Sequence, residues 1–235
     1  MPKRKPISGV FFDLDGTLLD TANDFIFAVN QLLQDYNKPS KASDIIRENV
    51  SAGSIALTAL AFNLAIDHPD IEPRRQELLK HYEKHINDLQ RPSPASIYPG
   101  IQALLNELEQ RDIPWGIVTN KPEIYTTPLL EQTKLHSRAK AIVCPEHVTR
   151  PKPDPEALLL ACHQANCSVN TSIYIGDHKR DIDAGNIAGM TTVAALYGYI
   201  SDDDDPTGWQ ADLLAESVRD IHHWLANQNW TITSE

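Results

Sequence analysis

The sequence has 235 residues, of which 41% are hydrophobic, which is enough to bury the core of one large domain or of a domain with a smaller insertion. Its 32 acidic and 21 basic side chains give a formal net charge of −11, which disfavours sequence-independent binding to nucleic acid phosphates or to anionic lipid. We therefore expect a small soluble ligand as partner, with no nucleic acid and no membrane.

The sequence also shows no pattern typical of a membrane span, a secretory signal, a disulfide framework or a zinc site. No stretch approaches the ~20 apolar residues that cross a bilayer, and the first residues lack the apolar part of a secretory signal. The three cysteines, Cys144, Cys162 and Cys167, are an odd number without metal-type spacing, so we expect reduced, structural thiols. These features predict a cytoplasmic protein. They do not indicate an oligomeric state.

The first predicted element is a buried strand at residues 10–12, and a long helical segment follows it. From residue 21 to about residue 91 the periodicity is helical, with no convincing strand. The two apolar stripes are Phe25, Val29, Leu32 and Tyr36, and then Leu78, Leu79, Tyr82, Ile86 and Leu89. Thr21 followed by Asp24 is typical of a helix start, and residues 92–94 are typical of a linker. We predict a helical cap domain over residues 21–92, inserted into a core formed by residues 1–20 and 93–235.

Strands and helices alternate through the rest of the chain. Helical spacing at residues 101–108 and 158–162 lies among buried apolar runs at residues 115–118, 141–143, 173–175 and 192–196. This alternation predicts an α/β core, a doubly wound parallel sheet with helices on both faces. Ligands of such sheets bind beyond the carboxyl ends of the strands. The helical insertion leaves from one of these ends, so it would cover the site as a lid.

Polar residues follow the predicted strands at that same edge. Asp13 and Asp15 follow the first strand, Thr119 and Asn120 follow the run at 115–118, and Asp177 follows the run at 173–175. A proline-stiffened loop at residues 150–155 could bring the ammonium of Lys152 to the same place. Each short motif alone is more typical of an ordinary turn or cap. Their joint occurrence at strand ends favours a functional site.

This set of groups suits phosphoryl transfer. The reaction needs an in-line nucleophile, positive charge on the nonbridging oxygens and donors that hold them. Carboxylates gathered at one place would repel one another unless a hard cation neutralised them, and oxygen ligands suit Mg²⁺. We therefore expect Mg²⁺ as cofactor, keeping Asp13 ionised as the nucleophile.

Together these residues resemble the four motifs of the haloacid dehalogenase-like hydrolase superfamily, in order. The motifs are Asp13-Leu14-Asp15-Gly16-Thr17, Thr119-Asn120, Lys152, and Gly176-Asp177 with Asp181. The resemblance covers essentially the whole chain, and it implies the subgroup with a helical cap after the first strand. It implies that Asp13 forms an aspartyl-phosphate and that Asp15 protonates the leaving alcohol and then activates water. The residues implied to hold the phosphate are Thr119, Asn120 and Lys152.

The resemblance also implies a metal site. Asp13, the backbone carbonyl of Asp15 and Asp177 would ligate Mg²⁺, while Asp181 would orient the waters of the metal or Lys152. The Asp13 and Asp15 pair argues against a haloacid dehalogenase, which needs neither a second acid nor Mg²⁺. A phosphosugar mutase of similar cap type and a binding protein without turnover remain as alternatives.

Within the superfamily, the chain resembles the phosphoglycolate phosphatase branch, and within that branch the N-acetylmuramic acid 6-phosphate phosphatases of cell-wall recycling. The matching segments are residues 115–122, residues 144–148, residues 197–200, Asp205-Pro206 and Gly208-Trp209. This resemblance implies that the substrate is N-acetylmuramic acid 6-phosphate, with phosphoglycolate as the alternative.

The cap should select the substrate. Arg47, Ser51 and Gly53 lie in or beside a small-residue turn at residues 51–54 that could project into the site. Arg47 could pair with a substrate carboxylate, although a solvated helix residue is the favoured interpretation. The turn could equally be a plain interhelical connection. The four aspartates at residues 202–205 suggest a second metal site, but a solvated, self-repelling loop is the favoured interpretation.

Overall fold

The computed structural model describes residues 7–88, 90–201 and 203–227. The start of the chain that we examined for a signal, Leu89 of the second apolar stripe and Asp202 of the acidic run lie outside these residues.

A six-stranded, wholly parallel sheet forms the centre of the fold, as predicted. Its strands stand in the order β5-β4-β1-β6-β7-β8. Their bounds are β1 Gly9–Phe12, β4 Trp115–Val118, β5 Ala141–Val143, β6 Ser172–Gly176, β7 Thr191–Ala195 and β8 Leu213–Ala215. Strands β1, β4 and β6 are buried on both faces, which explains why they read as continuous apolar runs. Strand β8 was not predicted.

Helices cover both faces of this sheet. Val10 and Phe12 point into a core shared with α5 (Ile101–Gln110), α6 (Glu123–Gln132) and α9 (Val218–Ala226). Phe11 points the other way, into a core shared with α7 (Glu156–Gln164) and α8 (Lys179–Ala188). Because successive strand residues face opposite sides, one strand supplies both cores. The prediction of a doubly wound α/β fold is confirmed.

Four helices fill the segment predicted to be a cap. They are α1 Ala22–Asp35, α2 Ser43–Glu48, α3 Gly53–Phe62 and α4 Ile71–Ile86. The two stripes read from the sequence meet where the rings of Phe25 and Tyr82 stack with centroids 4.3 Å apart. Tyr36, at the end of the first stripe, is partly exposed and contacts Phe62 edge-on. The domain boundaries themselves stay a prediction.

A two-stranded antiparallel ribbon joins the helical segment to the core. Strands β2 (Leu19–Asp20) and β3 (Ser96–Ile97) pair with each other. In the chain, β2 precedes α1 and β3 precedes α5. Each has only two residues, too few for an alternating pattern to be recognised in the sequence. The ribbon ties together the two chain segments that cross between the core and the inserted helices.

Thr21 correctly marks the start of α1, although its side chain does not cap the helix. The helix begins at Ala22. The hydroxyl of Tyr199 instead accepts hydrogen bonds from the backbone N–H groups of Thr21 (2.6 Å) and Ala22 (2.9 Å), and donates to Asp20. A distant aromatic residue therefore satisfies donors that a local side chain was expected to satisfy. No helix within the described ranges is long and apolar enough to span a membrane.

Candidate active site

The site is built around Asp13, the first residue after the central strand β1. Its backbone N–H donates to the carbonyl of Ile175 in β6 at 2.8 Å, so the neighbouring strand fixes where the chain leaves the sheet. The side chain is almost fully buried. Burial raises the pKa of Asp13, and the ammonium of Lys152 opposes part of that rise.

Lys152 is a fully buried cation at the centre of the site. Its Nζ lies 3.0 Å from Oδ1 of Asp13 and 2.6 Å from Oδ1 of Asp181, and it also donates to the carbonyl of Val118 and the hydroxyl of Tyr174. Burial alone would lower the pKa of Lys152, but the two carboxylates outweigh it and the pKa is raised. Lys152 is therefore charged and holds the two acids together.

The fourth motif folds as the junction between β6 and α8. Gly176 ends the strand, and an added Cβ there would lie 2.4 Å from Cβ of Asp181, so glycine leaves the room that this carboxylate occupies. Asp181 sits in the first turn of α8, where its Oδ2 accepts the backbone N–H of His178. One carboxylate therefore both caps the helix and pairs with Lys152. The role of Asp181 in orienting Lys152 or the waters of a metal stays a prediction.

Asp13, Asp177 and Asp181 form the one group of carboxylates, among the described residues, that is close enough to hold a metal ion. Each offers an oxygen within 4.8 Å of the others. Burial, and then the charges of Asp13 and Asp181, raise the pKa of Asp177 well above its usual range. Oδ1 of Asp177 is buried without a hydrogen-bond partner, and Oδ1 of Asp13 has only the ammonium of Lys152 nearby, outside hydrogen-bonding geometry. Orphaned carboxylate oxygens in a low-dielectric place fit a hard divalent cation.

The other oxygen of Asp177 is held from three sides. Oδ2 accepts the hydroxyl of Ser51 and the backbone N–H of Tyr199, both at 2.8 Å. Gly16, at a φ of +76°, lies so close that an added Cβ would sit 1.9 Å from this oxygen. The turn after Asp15 can pass beside Asp177 only as glycine.

Asp15 lies beside this cluster and has its own partners. Its Oδ1 accepts the hydroxyl of Thr21 at 2.5 Å and the ammonium of Lys121 at 3.0 Å. The same ammonium lies 4.8 and 4.7 Å from the ring centroids of Phe25 and Tyr82, which belong to the inserted helices. Sequence reasoning noted Lys121 only as part of a matching segment. The signal that could have found it is its position next to the polar pair that follows β4.

Thr119 and Asn120 lie after β4, as predicted, and both line the cavity described below. Asn120 spends its side-chain amide on the main chain of Lys152, donating to its carbonyl at 2.9 Å and accepting its N–H at 3.1 Å. The side chain thus positions the loop that carries Lys152. Its role in holding phosphate stays a prediction, as does that of Thr119.

The cap candidates lie in different places. Ser51 and Gly53 line the cavity, and Gly53 begins α3 at a φ of +88° with open space around it. Arg47 does not line it. Its guanidinium instead pairs with Asp20 and lies 5.4 Å from the ring centroid of Tyr199. The ribbon that joins the inserted helices to the core thus supplies a partner for Arg47, whose side chain is 39% exposed, and its role towards a substrate stays a prediction.

A cavity of about 400 Å³ opens above Asp13 between the sheet edge and the inserted helices. The core contributes Asp13, Asp15, Thr119 and Asn120, and the inserted helices contribute residues 50–55, Leu79 and Tyr82. Two arginines that the sequence did not single out also line it: Arg75 of α4 and Arg180 of α8. The buried Nε of Arg180 has no hydrogen-bond partner within the described ranges, and its charge opposes the burial-driven rise in the pKa of Asp13.

The acidic run does not converge on a point in space. Asp204 accepts the indole N–H of Trp209 at 2.9 Å, and Asp205 accepts the backbone N–H and hydroxyl of Thr207. Asp204 and Asp205 therefore each bind a neighbouring residue in their own turn. This agrees with the interpretation as a loop.

Comparison with known proteins identifies the family. Residues 10–195 match the family model of the haloacid dehalogenase-like hydrolases, a span that holds all four motifs. The chain belongs to this family.

Relatives of this hydrolase align over nearly their full length. The N-acetylmuramic acid 6-phosphate phosphatase of Pseudomonas aeruginosa is 42% identical over 219 residues, which are 93% of this chain and 95% of that protein. The phosphoglycolate phosphatase of Xanthomonas campestris pv. campestris is 40% identical over 207 residues, covering 88% and 91%. The prediction of a phosphatase enzyme of this family is thereby confirmed.

Solved structures agree on the fold of the hydrolase. A predicted phosphoglycolate phosphatase from Haemophilus somnus superposes with a TM-score of 0.78 at 20% identity, covering 93% of this chain and 98% of that one. A hydrolase from Pseudomonas syringae gives 0.72 at 26% identity, covering 94% and 99%. The first of these similarities shows the fold alone.

Lys152→Met tests the central cation of the hydrolase through stability. The change leaves the buried carboxylates of Asp13 and Asp181 facing each other without a cation, so we expect the free energy of unfolding at neutral pH to fall by about 3–5 kcal/mol. Urea denaturation in a chelating buffer measures it. Adding Asp181→Asn to the same chain should recover part of the loss. A loss under about 1 kcal/mol for Lys152→Met would show that the pair does not hold the site together.

Proposed function

We propose that this hydrolase is a Mg²⁺-dependent phosphomonoesterase that works through an aspartyl-phosphate on Asp13 and acts on N-acetylmuramic acid 6-phosphate. The observation that carries the proposal is the arrangement at the floor of the cavity, where Asp13 meets two further buried carboxylates and a buried lysine. The cytoplasmic location read from the sequence stays a prediction.

Asp13 would act as the nucleophile. Its carboxylate lies at the floor of the cavity, and Thr119, Asn120 and Arg180 line the wall around it. A carboxylate oxygen of Asp13 forms a bond to phosphorus while the bond from phosphorus to the sugar oxygen breaks. Lys152 and Arg180 balance the charge on the nonbridging oxygens.

Asp15 serves as the proton carrier in both steps. It gives a proton to the departing sugar oxygen, and it then takes a proton from the water that attacks phosphorus and releases Asp13. Thr21 and Lys121 fix its carboxylate at the cavity wall. After the second step the enzyme has its starting protonation, and the products are the sugar and inorganic phosphate.

The metal site would be formed by Asp13, Asp177 and the backbone carbonyl of Asp15. Bound Mg²⁺ would stabilise the negative charge of the transferring phosphoryl group and lower the repulsion between that group and Asp13. The orphaned oxygens of Asp13 and Asp177 support this assignment. Asp181, already engaged by Lys152 and by the start of α8, would stay outside the inner ligand set.

Two observations support the sugar acid as substrate. N-acetylmuramic acid 6-phosphate phosphatases of Pseudomonas aeruginosa and Pseudomonas putida are 42% and 37% identical to the chain. The cavity of about 400 Å³ is of the size that holds a drug-sized ligand, and its upper wall carries Phe25, Tyr82 and Tyr125, which suit the faces of a sugar ring. A two-carbon phosphate would leave much of this space to water.

Phosphoglycolate is the second candidate. Phosphoglycolate phosphatases of Xanthomonas campestris pv. campestris are 40% identical to the chain over 88% of its length. The phosphosugar mutase and the binding protein without turnover remain rivals of both. Release of inorganic phosphate in step with the loss of substrate argues against each of them.

Asp13→Asn tests the nucleophile. The amide keeps the shape of the side chain but cannot attack phosphorus, so we expect hydrolysis of p-nitrophenyl phosphate to fall by at least about 10³-fold. Circular dichroism and the thermal midpoint serve as the control for folding. Substantial turnover by a folded variant would contradict the mechanism.

Asp177→Asn tests the metal site through stability as well as activity. Without Mg²⁺ we expect the variant to be at least as stable as the wild type, because a buried carboxylate with a raised pKa is replaced by a neutral amide. With Mg²⁺ at 100 times its dissociation constant, the wild type should gain about 2.7 kcal/mol and the variant much less. Thermal unfolding with and without Mg²⁺ measures both effects.

Asp183→Asn is the matched control, because Asp183 lies on α8, the helix that begins just after Asp177, is paired with Lys179 at the surface and is outside the cluster. It should respond to Mg²⁺ as the wild type does. Equal stabilisation of the Asp177 variant and the control would place the metal elsewhere.

The substrate is tested by comparing kcat/KM on N-acetylmuramic acid 6-phosphate, phosphoglycolate and glucose 6-phosphate at one Mg²⁺ concentration. We expect the sugar acid to lead by at least about tenfold, since the upper cavity wall contacts parts that the other two lack. A lead for phosphoglycolate would make the second candidate the function.

A further inference from the structure

The cavity has a cation at each of two separate walls. Arg180 belongs to the core wall, beside Asp13 and Thr119, where the phosphate would bind. Arg75 belongs to α4 in the inserted helices, and its hydrogen bonds go to Ser54 and Glu72, which are also in those helices. The phosphate needs the first cation. The second needs another explanation.

The contacts of Arg75 hold its guanidinium without using all of it. Nε donates to the hydroxyl of Ser54 at 2.8 Å, and Nη1 lies 3.0 and 3.2 Å from the two oxygens of Glu72. Within the described ranges, Nη2 has no hydrogen-bond partner. Glu72 is 60% exposed, and an ion pair of this kind, three residues apart on a helix surface, contributes little. An entering anion could therefore take up donors of Arg75 at small cost.

The other cationic side chains near the cavity are already engaged or belong to the phosphate end. Lys121 is paired with Asp15, and Arg47 is paired with Asp20 away from the cavity. Of the described residues that line the cavity, Arg75 is the one cation contributed by the inserted helices. The cavity that Arg75 lines is also lined by Leu79 and Ile55, and a guanidinium at such a partly apolar wall matches a planar carboxylate better than it matches a hydroxyl.

We propose that Arg75 binds a carboxylate of the substrate and so makes the enzyme selective for phosphorylated acids over neutral phosphosugars. The inference rests on the proposed function, because N-acetylmuramic acid 6-phosphate carries its lactyl carboxylate at one end and its phosphate at the other. It moves to Arg75 the role that the sequence suggested for Arg47. It also assigns the Ser54 hydroxyl the task of fixing the plane of the guanidinium.

The test uses two substrates that differ by the lactyl group alone: N-acetylmuramic acid 6-phosphate and N-acetylglucosamine 6-phosphate. In the wild type the ratio of their kcat/KM values should favour the acid. In Arg75→Met the ratio should fall by about 10- to 100-fold, the effect of losing hydrogen bonds to a charged group. Most of the change should be in KM, since the contact is made in the bound substrate and the transition state alike. Arg75→Lys keeps the charge but loses the fork, and should lie between.

Arg74→Met is the matched control. Arg74 is the preceding residue of α4, and the substitution removes the same charge from the same helix. Its guanidinium pairs with Asp70 and lies 4.2 Å from the ring centroid of Phe62, away from the cavity lining. This variant should keep the wild-type ratio, and its thermal midpoint reports the cost of removing an arginine from α4.

The outcomes separate the inference from the function on which it rests. A wild type that prefers the sugar acid, with an Arg75→Met variant that keeps the preference, overturns the role of Arg75 and leaves the function standing. A wild type that prefers phosphoglycolate, with an Arg75→Met variant impaired on it far more than on N-acetylglucosamine 6-phosphate, overturns the substrate and supports Arg75. Equal losses on acid and neutral substrates, whichever acid is preferred, overturn the role of Arg75.

Discussion

The buried ammonium of Lys152 is the interaction on which the site depends. Asp13 and Asp181 are both buried, and each would be costly to keep charged alone. One ammonium lies within 3.0 Å of both, and its remaining donors go to Val118 and Tyr174. Elements β1, β4, β6 and α8 therefore meet at one nitrogen. The positive charge of Lys152 lets the carboxylates of Asp13 and Asp181 lie close together. It also offsets part of their negative charge before any metal binds.

This dependence extends to the loop that carries the lysine. The side-chain amide of Asn120 forms two hydrogen bonds to the main chain of Lys152, so the second motif fixes the position of the third. Asp181 caps the start of α8 and also accepts a hydrogen bond from the ammonium of Lys152, so the fourth motif holds the end of the lysine side chain. Four short motifs that lie far apart in sequence thus form a single network of hydrogen bonds and ion pairs. We expect the removal of one member to affect the others, because residues in one hydrogen-bond and ion-pair network are energetically coupled.

Much of this site follows from the sequence because it lies where strands end. Residues after buried parallel strands must meet at one edge, so Asp13, Thr119 and Asp177 could be placed together without coordinates. The length of β8 and of the ribbon strands is too short for any periodic signal, and Leu214 of β8 is partly exposed, so no buried apolar run marked that strand. The cap of α1 by Tyr199 joins residues nearly two hundred positions apart, which local patterns cannot reveal.

The arginines of the inserted helices show where sequence reasoning stops. Arg47 and Arg75 both lie on helices, and neither has a local pattern that tells a cavity wall from a surface. Packing decides: α2 turns Arg47 towards Asp20 and Tyr199, while α4 turns Arg75 towards Ser54. Helical periodicity identifies the face that is buried, but not what another helix will place opposite it.

Relatives with two different names are nearly equally similar to this chain, at 42% and 40% identity. The difference between the floor and the upper wall of the cavity accounts for this. Under the proposed function, the floor of the cavity would bind the phosphate that all phosphomonoesters share, so its residues would carry no information about the rest of the substrate. The inserted helices form the upper wall with residues 50–55, Arg75 and Tyr82. It is also mechanically joined to the floor, because Ser51 donates to Asp177 and the rings of Phe25 and Tyr82 lie against Lys121. Under the proposed function, a substrate that fits the upper wall would therefore act on the positions of Asp177 and Asp15, so recognition of the sugar and alignment of the reacting groups would be physically coupled.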